Sequence, residues 1–352
     1  MKRIKISITQ AVWIASAGTI LGIIAAVLTK LGNPLDGGIT VSCFERDIAG
    51  ALGLHQMLTL SYIRPEIIGI VLGAFLVSFF KGSFRPVGGS STILRFFISV
   101  LVTFGLFVFI GCPLRLCLRL GGGDPAALPA LLGLITGVWL GTLFLKKGFT
   151  LGRECETTKS NGIAFHFFIL FLLILLFLRP DFIVMSKEGY APLFISLLAG
   201  TLIGILGQRT KLCFVSGFRN FILIKDVSLL VGFFFVIISV FIANLLLGQS
   251  HMGIHIIGSS DLFWNFMSML LVGFGSIMLG GCPFRQLILA SQGNTDSAVS
   301  VFGIIIGSAI SHNFFLAYIA GSVNVNGKIA VVLGIFVLVI IGFLNRGRDD
   351  IS

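Results

Sequence analysis

Four cysteines stand where sulfur and fixed positive charge could act together. The stretches "IGCPLRLCLRLGGGD" from Ile110 and "LGGCPFRQLILASQGN" from Leu279 share one run of residues. It places Gly111, Cys112, Pro113 and Arg115 in the first copy and Gly281, Cys282, Pro283 and Arg285 in the second. Proline is favoured at the first position of a helix, where its φ already fits and its missing N–H costs nothing. Each run therefore reads as a helix start with the cysteine as its cap. Such a terminus presents unpaired N–H groups and a partial charge of about half a unit, so it holds anions. It also makes a cap sulfur more reactive. An arginine fork just inside the helix adds full charge and suits an ion with several acceptor oxygens. An anion that also carries sulfur or selenium can use both the charge and the thiol, whereas plain sulfate needs only the arginines.

The elements that must position these residues are membrane helices. Of 352 residues 56% are hydrophobic, 35 are Phe and only 11% are charged, with a mean hydropathy of +1.05. A soluble protein of this length needs far more polar surface, so most of this chain faces lipid. Apolar runs place ten spans at roughly 10–29, 65–80, 94–110, 126–145, 162–178, 190–207, 227–247, 262–280, 297–319 and 327–344. With "MKRIK" inside, the inner segments collect Lys81, Arg85 and Arg95; Lys146, Lys147, Arg153 and Lys159; Arg209, Lys211, Arg219 and Lys225; and Arg346 and Arg348. The outer segment "GQSHMGIHIIGSSD" has no Lys or Arg. This satisfies the positive-inside rule with both termini cytoplasmic, so the net charge of +11 implies no nucleic-acid partner. Six cysteines form no C-x-x-C pair, and no metal site or cofactor is expected. The chain has no P-loop and no catalytic constellation, so it reads as neither an ATP-driven pump nor an enzyme.

A shift of 170 residues superposes Cys112 on Cys282 and Cys43 on Cys213, and lays "LVTFGLFVFIGCPLR" from Leu101 over "LVGFGSIMLGGCPFR" from Leu271. One membrane domain is expected: a first repeat over 8–147, a linker with one span over 148–189, a second repeat over 190–320, and a C-terminal helix and tail over 321–352. The odd number of crossings inverts the second repeat, as in transporters whose path runs between two halves. Cys43 and Cys112 then approach from outside and Cys213 and Cys282 from inside. The partly apolar segments around Cys43 and Cys213 and the two Cys-Pro stretches read as re-entrant, since irregular backbone at membrane depth needs a protein or water lining.

Other residues carry a blander reading. Cys117 and Cys155 lack repeat partners and read as packing and loop residues, and Arg119 faces a leucine, Leu289, in the repeat. Arg46 and Arg219 follow Cys43 and Cys213 in looser register. His312 could relay protons, although hydrogen bonding between helices explains it as well. Glycines 69, 73, 133, 137, 303 and 307 read as sites of close helix packing.

The duplicated Cys-Pro-x-Arg starts with their upstream cysteines resemble the YeeE/YedE family of sulfur-transport membrane proteins, over essentially the whole chain. "GCPLRLCLRLGGGD" and "GGCPFRQLILASQGNTDS" are most similar to its YedE branch, associated with selenium. The resemblance implies an all-α, hourglass-like inverted repeat of about ten spanning and several short helices in the bacterial inner membrane. It implies import of a thiosulfate-like or selenium-containing anion along Cys43, Cys112, Cys213 and Cys282, without a cofactor. It also implies a TusA-like sulfur-carrier protein as a cytoplasmic partner. Two other readings compete: a membrane-embedded sulfurtransferase that forms a cysteine persulfide, and a general anion channel that uses the arginines alone.

Overall fold

Long apolar runs without charge can satisfy their backbone in lipid only as helices, and helices account for most of the chain. The computed structural model describes residues 8–35, 37–186, 189–249, 261–318 and 323–346. "MKRIK", Arg348 and residues 250–260 of the expected outer segment lie outside the described residues. The first seven helices are α1 (Ile8–Lys30), α2 (Val41–Ala51), α3 (Pro65–Phe80), α4 (Thr92–Phe109), α5 (Pro113–Gly121), α6 (Ala127–Lys146) and α7 (Lys159–Leu178). They are followed by α8 (Leu193–Thr210), α9 (Ser216–Ile224), α10 (Ser228–Leu246), α11 (Leu262–Leu279), α12 (Pro283–Ser291), α13 (Thr295–Asn313) and α14 (Val325–Leu344). Among the described residues the only strands are β1 (Val87–Gly88) and β2 (Cys155–Glu156), which pair antiparallel.

Nine helical stretches among the described residues are long and apolar enough to cross a membrane, α4–α5 and α11–α12 each counting as one. The chain is an all-α polytopic membrane protein. The span expected at 297–319 is α13, which ends at Asn313 and buries Asp296, Ser297, Ser300, Ser308 and Ser311. Protein covers that polar face, so α13 does not need the apolar composition of its neighbours and is not among the nine. The large side chains left exposed, such as Trp13, Phe80, Leu198, Leu246 and Phe336, are apolar, as a lipid-facing surface requires.

Helices of the two halves pair across the molecule: α1 with α10, α8 with α3, α4 with α13 and α11 with α6. In α6, Gly133, Gly137 and Gly141 meet Phe266, Leu270 and Ile277 of α11 in the same order, so the two run parallel. Gly18 and Gly22 of α1 meet Gly232 and Val236 of α10, and Gly200 and Gly204 of α8 meet Glu66 and Ile70 of α3. Gly303 and Gly307 of α13 likewise meet Phe96 and Val100 of α4. A Cβ at Gly133 would overlap the Phe266 carbonyl oxygen, so only glycine allows the backbones this close. Exchanging the helices matched by the sequence offset turns α1–α10 into α8–α3 and α4–α13 into α11–α6. The matched helices α4 and α11 themselves run antiparallel, with Gly105 against Ser268 and Arg95 Nη1 donating to the Leu279 carbonyl at 3.1 Å.

Two ends follow from these directions. At the first end Asn33, after α1, donates to Glu66 Oε1 at 2.8 Å and accepts from the Ala191 N–H at 3.0 Å, while Asn313 donates to the Leu54 carbonyl at 2.9 Å. This gathers the start of α3, the start of α8 and the end of α13. At the second end Arg85 N–H donates to the Gln292 carbonyl at 3.0 Å and Thr150 N–H to the Asn345 carbonyl at 3.1 Å, beside the β1–β2 pair. Helices α2, α5, α9 and α12 have 11, 9, 9 and 9 residues. At 1.5 Å of rise per residue they extend only about 14–17 Å, roughly half of the hydrocarbon thickness.

Candidate functional site

Cys112 and Cys282 cap α5 and α12 in extended backbone, and Pro113 and Pro283 begin the helices behind them. Neither cap side chain makes a regular capping hydrogen bond to its own helix. Gly111 and Gly281 have a specific task here. A Cβ at Gly111 would come within 2.7 Å of Arg115 Cδ, and one at Gly281 within 2.9 Å of Arg285 Cγ. Both arginine stems thus fold back over the glycine before the cysteine, which brings each guanidinium toward the helix start.

At the first end Arg115 Nη1 lies 3.4 Å from Cys43 Sγ and Nη2 donates to the Leu35 carbonyl at 3.4 Å, while Nε is buried without a partner. Arg115 is 4% exposed and has no carboxylate against it among the described residues. Beside it is a cavity of about 180 Å³ whose walls include Cys43, Arg46, Asp47, Arg64 and Arg115. Asp47 accepts from Arg46 at 2.7 Å and from Arg64 Nε at 2.6 Å. Arg64 is further fixed between the rings of Phe44 and Tyr190, at 4.4 and 4.6 Å from their centroids. Three guanidinium groups face one carboxylate in this wall, so positive charge is in excess. Cys112 is 1% exposed and does not line the cavity.

His312 sits at this same end. Its ring lies 4.9 Å from that of His55 and 5.4 Å from that of Phe107, and His55 contacts the Arg46 carbonyl at 3.1 Å. Burial pushes the His55 imidazole below its usual range, against the opposing effect of that carbonyl. Arg46 also lies 5.8 Å from the same Phe107 ring, so the two imidazoles, Phe107 and Arg46 form one cluster.

At the second end the two sulfurs of Cys213 and Cys282 are 3.6 Å apart, in contact as free thiols. Cys213 Sγ also accepts from the Ser216 hydroxyl at 3.1 Å, the Ser216 N–H at 3.4 Å and the Cys282 N–H at 3.5 Å. Arg285 has no ion pair among the described residues, and its Nη1 is buried without a hydrogen-bond partner. Its position repeats that of Arg115.

Not every candidate joins these groups. Arg46 lines the first-end cavity but is tied to Asp47, whereas Arg219 is half-buried and donates to Asn220 Oδ1 at 3.2 Å. Cys117 donates to the Pro113 carbonyl at 3.3 Å inside α5, and Cys155 is exposed on β2. Arg119 pairs with Asp124 at 2.7 Å and lies over Phe109. Sequence reasoning missed Arg64, Asp47 and Ser216. Arg64 directly precedes Pro65, and nothing local in the sequence links it to Asp47. No group of three His, Cys, Asp or Glu that could hold a metal occurs among the described residues.

Residues 209–345 match the family model described as sulphur transport. The sulphur-transport match takes in Cys213, Cys282 and Arg285 and covers well under half of the chain, leaving Cys43, Cys112 and Arg115 outside it. No curated protein matches the chain.

Proposed function

We propose that the chain is a transporter for a small sulfur-containing anion of the thiosulfate kind, or its selenium equivalent. Its path is marked by Cys43, Cys112 and Arg115 at one end and by Cys213, Cys282 and Arg285 at the other. The observation that carries this reading is the pair of guanidinium groups near thiols, Arg115 buried and Arg285 half-buried with its Nη1 enclosed, neither with a carboxylate partner among the described residues. A charge held out of water without a partner is costly, and an arriving anion offsets part of that cost. A thiosulfate-type ion offers oxygens to the fork and a soft terminal sulfur to the thiols. Thiol hydrogen bonds are weak, so the ion is held at either end without being trapped, as conduction requires.

On this reading the two halves are an inverted repeat, which the opposed directions of α4 and α11 and the exchanged helix pairs support. The second end faces the cytoplasm of a bacterial inner membrane, with both termini on that side. The anion moves inward, toward a sulfur-carrier protein of the TusA kind. The sulphur-transport match over 209–345 supports the substrate element.

Purified protein in liposomes tests the reading through selectivity. Labelled thiosulfate is expected to enter, and excess unlabelled thiosulfate or selenium analogue to compete, with sulfate competing at least about tenfold less well, a gap worth about 1.4 kcal/mol. Equal competition by sulfate would leave an arginine-only anion channel as the better account.

A further inference from the structure

The transport reading leaves one buried acid without a task. Glu45 lies in α2, on a different face of the helix from Cys43 and outside the walls of the Cys43 cavity, and is 0% exposed. Both of its carboxylate oxygens are buried without a hydrogen-bond partner, and it makes no ion pair among the described residues. Packing does not call for a carboxyl there. The residue in register 170 positions on is Val215, also 0% exposed, so an aliphatic side chain fills the matching place in the other half. A carboxyl taken out of water with neither oxygen bonded is costly as an anion and far less so as the neutral acid. It would ionise when water or a cation reaches it.

Most of the charged and titratable groups around α2 are occupied elsewhere, Arg285 excepted. On α2 itself Arg46 is held by Asp47, and from the segment before α3 Arg64 is held by the same carboxylate. From that segment too, His55 contacts the Arg46 carbonyl. From α3, Glu66 accepts from Asn33 and Ser196. From α5, Arg115 points to Cys43 and Leu35, with Cys112 at the cap. From α13, Asp296 accepts from Ser90 N–H and pairs with Arg95, and His312 contacts Met57. From α12, Arg285 is the only cation, and it makes no ion pair. The turn Leu58–Leu60 has no titratable side chain.

We propose that Glu45 couples anion passage to proton movement, taking a proton when water reaches α2 from the first end and releasing it toward the second. This rests on the transport reading above. The chemistry is a single O–H bond: the carboxylate gains a proton from water at one end and returns it to water at the other. Each turnover then moves protons in the same direction as the anion, which reduces the net negative charge carried across the bilayer.

The test uses the intact protein in liposomes with labelled thiosulfate. An acid-outside gradient is expected to stimulate wild-type uptake several-fold, and thiosulfate addition to draw protons inward, read by an internal pH dye. Glu45→Gln is expected to lose the stimulation and the proton signal while thiosulfate exchange without a gradient continues, which also reports that the variant is folded. If Glu45→Gln does not fold, Glu45→Val, which copies the matching Val215 of the other half, takes its place. Wild-type uptake that ignores the gradient and moves no protons overturns the inference and leaves transport standing. Stimulation that survives in a folded Glu45 variant overturns it as well. No thiosulfate uptake under any gradient overturns the transport reading, and this inference with it.

Discussion

Arg285→Gln lowers the initial rate of thiosulfate uptake by about tenfold to a hundredfold. Hydrogen bonds to a charged group are worth about 1.5–3 kcal/mol, and each 1.4 kcal/mol is about a factor of ten. Arg285 has no acidic partner among the described residues and keeps Nη1 buried without a bond, so its interactions are available to the passing ion. The same fact separates this effect from a folding defect. Removing a half-buried charge that lacks an ion-pair partner among the described residues relieves part of a desolvation cost, so Arg285→Gln melts no lower than wild type. Arg285→Lys keeps the charge and loses the planar fork, and its rate falls between the two. Uptake rates normalised to reconstituted protein check this, and a rate equal to wild type in Arg285→Gln would remove the arginine from the path.

Asp47→Ala has the opposite signature, a loss of stability of about 3–5 kcal/mol, the usual cost of leaving a buried charge unpaired. Asp47 is 1% exposed and is the carboxylate between Arg46 and Arg64, with contacts of 2.7 and 2.6 Å. Taking it away leaves two guanidinium groups facing each other in a wall that already contains Arg115. The melting temperature of the detergent-solubilised protein reads the effect. An Asp47→Ala protein that melts with wild type would mean that water reaches both arginines freely.

The helices and the chemistry were legible in the sequence to different degrees. Helix α3 runs over 65–80, the same bounds the apolar run suggests, because Pro65 marks its first turn and Lys81 follows its last residue. The starts of α5 and α12 were legible for the same reason, since proline fixes where a helix can begin. The end of α13 was not. The apolar run continues through Phe314 and Phe315, yet the chain leaves the helix after Asn313, and Phe315 adopts a positive φ of 54°.

At the site, register predicted that Cys43 and Cys213 are equivalent, but their surroundings differ. Cys43 lies within α2, whereas Cys213 precedes α9, which begins at Ser216. Position 46 holds an arginine bound to Asp47, and the matching position holds Ser216, bound to Cys213. The contact between Cys213 and Cys282 joins residues 69 apart, and the bridge from Asp47 to Arg64 joins residues 17 apart. Both depend on where short helices end inside the bundle, which a hydropathy pattern does not encode.

If one anion meets thiols at both ends of the molecule, removing a thiol at either end must slow its passage. Thiosulfate uptake into liposomes by six single Cys→Ala variants reads this out, with thermal melting as the control for folding. The variants at Cys43, Cys112, Cys213 and Cys282 are expected to lose most of their uptake, while those at Cys117, bonded within α5, and Cys155, exposed on β2, keep it. Undiminished uptake in folded variants at both Cys112 and Cys282 would contradict a thiol-lined path.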